Sequence, residues 1–151
     1  MHRYHLQDRQ DYSHYNKIAG LVTALVHKLK QLSPDDPFRI KATEQLLQKL
    51  YNMGLVSNKD SVEQAEKLPV SAFCRRRLAV ILCSLKFSET MKEAVTFIEQ
   101  GHVRVGTEVV TEPAFLVTRQ MEDHVGWVET SSIKRKILEY NDKFDDYDIA
   151  N

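Results

Sequence analysis

The sequence predicts a small α/β (α+β) domain, two packed helices and a small sheet, carried between an N-terminal helical segment and a C-terminal extension. Three observations predict it. Apolar residues recur at helical spacing from Lys17 to Met53. Across Glu99–Gly106 the period changes from helical to alternating, with Gly101 at the change. Beyond that point short apolar runs alternate with turn residues. The boundaries fall at residues 1–70 for the helical segment, 71–130 for the domain, and 131–151 for a last helix with an acidic tail.

The chain of 151 residues suits one domain with helical additions, and 42% hydrophobic residues permit a packed core. No run is long and apolar enough to span a bilayer, so no membrane partner is expected. Met1-His2-Arg3-Tyr4-His5 lacks the apolar centre of a secretory signal. Cys74 and Cys83 form no metal pattern and read as buried, reduced thiols, which points to an intracellular compartment. The zero net charge hides a gradient. Residues 1–70 hold ten basic and eight acidic residues, 71–119 seven and five, and 120–151 four and eight. A local phosphate-binding face survives such an average, with modest affinity for the chain alone.

Taken in order, Met1–Asn16 is polar with Tyr4, Tyr12 and Tyr15 interleaved, a helix start or an arm laid on a partner. Ile18, Leu21, Val22, Leu25, Val26 and Leu29 then form a helical stripe, with Lys28 and Lys30 where the helix dipole favours cations. Pro34 and Pro37 end it. Phe38–Met53 reads as a second helix anchored by Leu46, Leu47 and Leu50 and stopped by Gly54. Leu55–Pro69 reads as a linker with one or two turns of helix. Ser71 is a candidate N-cap for a helix through Cys83, whose core face is Phe73, Leu78, Ile81 and Leu82. Ser88 is a candidate cap for the next helix, through Gln100. Val103 and Val105 point one way and His102 and Arg104 the other, a short half-buried strand. Gly106-Thr107-Glu108 turns the chain into a second strand, Val109-Val110-Thr111. Val125, Trp127 and Glu129 mark a third. Ser131-Ser132 starts a last helix, Ile133–Tyr140, and the acidic Asn141–Asn151 is a flexible tail or a docking peptide.

No phosphate-binding loop, dinucleotide fingerprint, HExxH or zinc cluster is present. Asp145, Asp146 and Asp148 read as a solvated tail ahead of a metal site. No cofactor is expected, and no catalytic motif stands out. Arg75-Arg76-Arg77 is the strongest chemical feature. Guanidinium groups grip phosphate through a planar fork of donors, or form a solvated or protein-facing patch. Lys86, Lys92, Arg104 and Arg119 strengthen the nucleic-acid reading if they fold onto the same side. Gly101 ends a helix and can also let backbone approach a phosphate. His102 is a turn histidine or a contact; Arg104, outward on its strand, is the better contact candidate. Trp127 and Phe115 are assigned to the core ahead of base stacking.

These features resemble the ribosomal-protein-S4 RNA-binding domain family. The matching residues are Arg77-Leu78, Phe87-Ser88, Glu93-Ala94, Phe97-Ile98, Gly101-His102-Val103-Arg104-Val105 and Val109-Val110-Thr111-Glu112-Pro113. The resemblance implies two helices on a small sheet binding structured RNA. It carries over Arg75, Arg76, Arg77, Lys86, Lys92, His102 and Arg104 as RNA-binding residues. The family's usual Asn-Gly after the first strand is replaced by Gly106-Thr107, so the hairpin turn is expected to differ. Asp8-Arg9-Gln10-Asp11-Tyr12, Phe73–Leu78, Phe97–Gly106, Phe115–Arg119, Met121-Glu122-Asp123, Ile133-Lys134-Arg135 and Leu138-Glu139-Tyr140-Asn141 are similar to one branch, found in the U3 small nucleolar ribonucleoprotein. That branch implies a non-enzymatic nucleolar protein of the small-subunit processome. The implied partners are U3 small nucleolar RNA, precursor ribosomal RNA, the Mpp-ten protein and other processome proteins. Members usually carry a basic segment before Arg3-Tyr4-His5-Leu6. Here the chain begins almost at that point, so weaker RNA binding than that of a full member is expected. The competing reading is a protein-interaction adaptor, its basic patch meeting acidic protein and Leu21, Val22, Leu25 and Leu29 holding a partner helix.

Overall fold

A computed structural model describes residues 9–129 together with 131, 133, 135, 136 and 139. Two apolar cores organise them, and each grows from the periodicities above.

The first core is helical. Helix α1, Arg9–Lys30, starts well before the apolar stripe. Its early turns bury Tyr15 and Ala19, and its later ones Val26 and Leu29. Helix α2, Pro37–Asn52, folds back on α1 and buries Leu47 and Leu50. Asp36 caps α2: its carboxylate accepts from the Phe38 N–H at 2.8 Å, while Pro37 pre-sets the first turn. Gly54, at φ +80°, closes the far end, and the Leu55 N–H reaches back to the Leu50 carbonyl. The segment after it contains one short helix, α3, Glu63–Glu66. Thr23 Oγ1 on α1 donates to the Glu66 carbonyl at 3.0 Å, and Lys30 pairs with the Glu66 carboxylate. Ala65 and Leu68, which give only a weak face in sequence, are both buried here. Helix α4, Val70–Cys74, closes this core with Phe73 stacked on the Tyr15 ring, centroids 5.5 Å apart.

The second core lies between helices α5, Leu78–Ser84, and α6, Met91–Glu99, and a three-stranded sheet. Leu78, Leu82, Ala94, Ile98 and Val103 are fully buried in it. Strand β1, Val103–Val105, lies between β2, Glu108–Val109, and β3, Val125–Trp127, antiparallel to both. A short helix α7, Arg119–Glu122, precedes β3, capped by Thr118 Oγ1 accepting from the Met121 N–H.

Several sequence expectations are corrected. One helix through Cys83 is instead two, α4 and α5, broken at Arg75–Arg77. Leu78 N–H donates to the Phe115 carbonyl and Val117 N–H to the Arg76 carbonyl, both at 2.8 Å. Those partners lie some forty residues away and hold Arg77 extended, at φ −67° and ψ 141°. Ser71 is not an N-cap, because Pro69 occupies that position and starts α4 one residue earlier. Thr90 replaces Ser88 as the cap of α6, its hydroxyl accepting from the Glu93 N–H at 3.1 Å. Ser88 is buried and donates to the Thr90 carbonyl. Strand β2 begins at Glu108 and ends at Val109, and β3 stops at Trp127, short of Glu129. Gly101 does end α6, at φ +79°. Ser131 Oγ accepts from the Ile133 N–H, and Ile133, Arg135, Lys136 and Glu139 are helical. The rest of the expected last helix, the acidic tail and the first eight residues lie outside the described residues.

Candidate nucleic-acid interface

The seven basic residues singled out in the sequence divide by what their side chains already hold. Arg77 is only 7% exposed. Its Nη1 donates to the Tyr15 hydroxyl at 3.0 Å and to Asp11 at 3.3 Å, both on α1. Burial raises the Tyr15 pKa above its ordinary value, against the lowering pull of Arg77, so the phenol stays a neutral acceptor. Burial likewise raises the Cys74 thiol, against the same guanidinium. Arg76 donates through Nε to the Val117 carbonyl at 3.0 Å and pairs with Glu122 at 3.3 Å. Its guanidinium lies against Gly54, where a Cβ would stand 2.5 Å from Nε. Both arginines therefore tie the helical segment to the second core. Arg119 does the same. It donates to the carbonyls of Tyr51 and Val56, each at 2.9 Å, and lies over the Tyr51 ring at 4.2 Å.

Arg104 is half-buried on β1. It donates to the carbonyls of Trp127 at 3.1 Å and Gly106 at 2.8 Å. It crosses its register partner Gly126, whose missing side chain makes room: a Cβ there would stand 3.3 Å from Nη2. His102 Nδ1 lies 2.8 Å from Ser131 Oγ, with its ring edge-on to Phe97. The Ser131 hydroxyl accepts the Ile133 N–H, so this contact anchors the start of the C-terminal helix to the domain. In the sequence Ser131 is legible as a helix start, and its bond to His102 is not.

Arg75, Lys86 and Lys92 are exposed. Arg75 has one long contact, 3.5 Å to Ser71 Oγ, and among the described residues Lys86 and Lys92 have no ion-pair partner. Lys86 occupies the turn between α5 and α6 at φ +64°, the one non-glycine residue with positive φ among those described. It follows the end of α5, where the Phe87 N–H reaches the Leu82 carbonyl and glycine is the usual occupant.

The site is thus spread over two places. Lys86 lines a hollow of about 400 Å³ that also receives Phe97, Glu93, Ile133 and Lys136. Phe97 packs on Trp127, and the Trp127 carbonyl holds Arg104, so this aromatic cluster connects the turn to the sheet. Trp127 and Phe115 pack against the second core, as the sequence reading has them. Arg75 opens on a different groove, beside Lys67 and Arg119. Among the described residues no three His, Cys, Asp or Glu side chains gather as metal ligands. No described helix is long and apolar enough to cross a membrane.

Comparison with known proteins matches two family models to the chain. Residues 2–75 match the family described as the ribosomal protein S4/S9 N-terminal domain, and residues 76–123 match the S4 domain. The chain is similar to the U3 small nucleolar ribonucleoprotein protein IMP3 of Saccharomyces cerevisiae, 51% identical over 151 residues, covering 99% of this chain and 82% of that protein. The Homo sapiens protein of the same name is 50% identical over 149 residues, covering 99% and 81%. The small ribosomal subunit protein uS4 of Picrophilus torridus is 34% identical over 101 residues, covering 67% of this chain and 55% of that protein.

Proposed function

Because this chain belongs to the IMP3 family of U3 small nucleolar ribonucleoprotein proteins, we propose that it binds RNA noncovalently in that particle and holds U3 small nucleolar RNA and precursor ribosomal RNA in a pairing-ready geometry. It is a non-enzymatic component of ribosome biogenesis, built on an S4 RNA-binding domain. Its proposed place is the nucleolus, within the small-subunit processome. The carrying observation is that Lys86 and Lys92, inside the S4-domain match, are exposed and have no ion-pair partner among the described residues. Two RNA strands repel through their phosphates. Ammonium and guanidinium groups on a rigid surface neutralise that repulsion and release counterions, which favours pairing without reading bases. Arg75 adds donors, as does Arg104 Nη2, which has no hydrogen bond among the described residues, and His102 supplies a ring nitrogen. Arg76 and Arg77 contribute by fixing the surface, since their guanidinium groups are engaged inside the protein.

The test is strand annealing. Short U3 and precursor fragments are mixed with and without the protein, and the rate of duplex formation is followed by fluorescence. Faster annealing, lost in a folded Lys86→Gln/Lys92→Gln variant, is the expected result. Binding of both strands with no change in annealing rate would contradict the pairing role and leave a purely structural one.

A second reading has its own observation. Leu21 is 61% exposed and Leu25 44% exposed on α1, while Leu29 is buried and Val22 half-buried. Only the first two remain available to a partner helix, and the Mpp-ten protein is the proposed occupant. Replacing both with glutamine should abolish its capture and leave RNA binding intact.

A further inference from the structure

A groove in the helical half lies outside the S4-domain turn and has its own chemistry. Its exposed lining is about evenly polar and apolar, and Leu55, Val56, Leu68 and Ala72, largely buried, form the aliphatic part of its floor. Its volume is about 560 Å³, within the range that holds a small organic ligand. Lys67, Arg75 and Arg119 stand on its rim against a single carboxylate, Glu63. Lys67 and Arg75 are exposed, whereas Arg119 is fixed by the carbonyls of Tyr51 and Val56. Gln64 closes one wall: its Oε1 accepts from the Ser57 N–H at 2.9 Å, and its Nε2 donates to Ser57 Oγ at 2.8 Å. The amide is held in place and retains one N–H for another acceptor.

From this arrangement we infer that the groove takes one unpaired nucleotide, its base against the aliphatic part of the floor and its phosphate on Arg75 and Lys67. The inference rests on the RNA-binding reading above and adds a ligand to Arg75. A planar base has an apolar face and polar edges, which suits a mixed lining of aliphatic side chains beside a fixed amide. The phosphate requires cations, and the rim has an excess of them. An acidic peptide is the competing occupant. The groove walls are α3, α4 and the 54–57 loop, with no strand edge among them, so an extended peptide finds no backbone ladder to join. A bulged or flanking nucleotide in the U3–precursor hybrid would enter here while the paired phosphates meet Lys86 and Lys92.

The experiment uses the full chain and three RNA duplexes: fully paired, with one bulged uridine, and with an abasic bulge. A 4-thiouridine at the bulge provides a photo-crosslink, mapped by mass spectrometry. The bulged uridine should bind about tenfold tighter than the abasic bulge, the range of a single buried base. Its crosslinks should fall within residues 54–75. Lys67→Glu, a change on an exposed side chain, should weaken binding of the bulged RNA several-fold and reduce the crosslink yield. Equal affinity for the uridine and abasic bulges, or crosslinks confined to residues 86–104, would overturn the groove and leave the RNA-binding reading standing. Failure to bind any of the three would overturn both. Displacement of bound RNA by a glutamate-rich peptide that itself crosslinks at residues 54–75, with no base preference, would assign the groove to an acidic protein and overturn the inference.

Discussion

Lys86 holds a left-handed backbone conformation that costs a residue with a Cβ about 1–2 kcal/mol and glycine almost nothing. Local strain of this kind concentrates where a side chain is needed for something else. Lys86→Gly should therefore raise the melting temperature, or leave it unchanged, while weakening RNA binding. Thermal unfolding and a binding titration on the same preparation check both halves. Gly54 presents the opposite case. At φ +80° it also faces the Arg76 guanidinium, so Gly54→Ala combines an unfavourable backbone with a 2.5 Å collision. A loss of about 2 kcal/mol in denaturant unfolding is expected from the backbone and the displaced side chain. Adding Arg76→Ala should produce less destabilisation than the sum of the two single changes, because the collision disappears. The sequence shows that these residues are cationic or glycine. It does not show which guanidinium is buried, since Asp11, Tyr15 and Glu122 reach the triplet from 66, 62 and 46 residues away.

At the scale of elements, local signals were sufficient where local contacts decide. Gly54 and Gly101 end helices as their positions in the periodic pattern require, and the alternation Val103–Val105 is a strand with Val103 inside. The break between α4 and α5 was not legible, because backbone groups of Phe115 and Val117 hold it open from a distant segment. Helix α3 is the single turn the sequence allows between Leu55 and Pro69, but its position is set from afar by Thr23 and Lys30 on α1. The Glu66 carboxyl is held below its ordinary pKa of 4.5, first by the Lys30 hydrogen bond. A lowered carboxyl contributes stability above its unfolded pKa and loses it as pH falls through the lowered folded value. The difference in melting temperature between wild type and Glu66→Gln should accordingly be present at neutral pH and fade as the solution is acidified past 4.5. A constant difference across that window would mean that packing, and not charge, makes the contact.

For the whole molecule, the two cores are joined by arginines. Arg76 and Arg77 reach from the α4–α5 junction to α7, the Val117 carbonyl and α1, and Arg119 reaches from α7 to the end of α2. This leaves a narrower set of cations for RNA than the raw triplet offers: Arg75, Lys86 and Lys92, exposed on a chain of zero net charge. It also means that removing all three consecutive arginines would confuse lost folding with lost binding. The most direct measurement replaces only exposed cations. Affinity for a U3–precursor RNA hybrid is measured across a salt series for wild type and for a folded Arg75→Gln/Lys86→Gln/Lys92→Gln variant. Three lost phosphate contacts should reduce the slope of log affinity against log salt by about 2 to 3 and weaken binding at low salt. An unchanged slope and affinity in a variant with wild-type stability would contradict the account and move RNA recognition away from these residues.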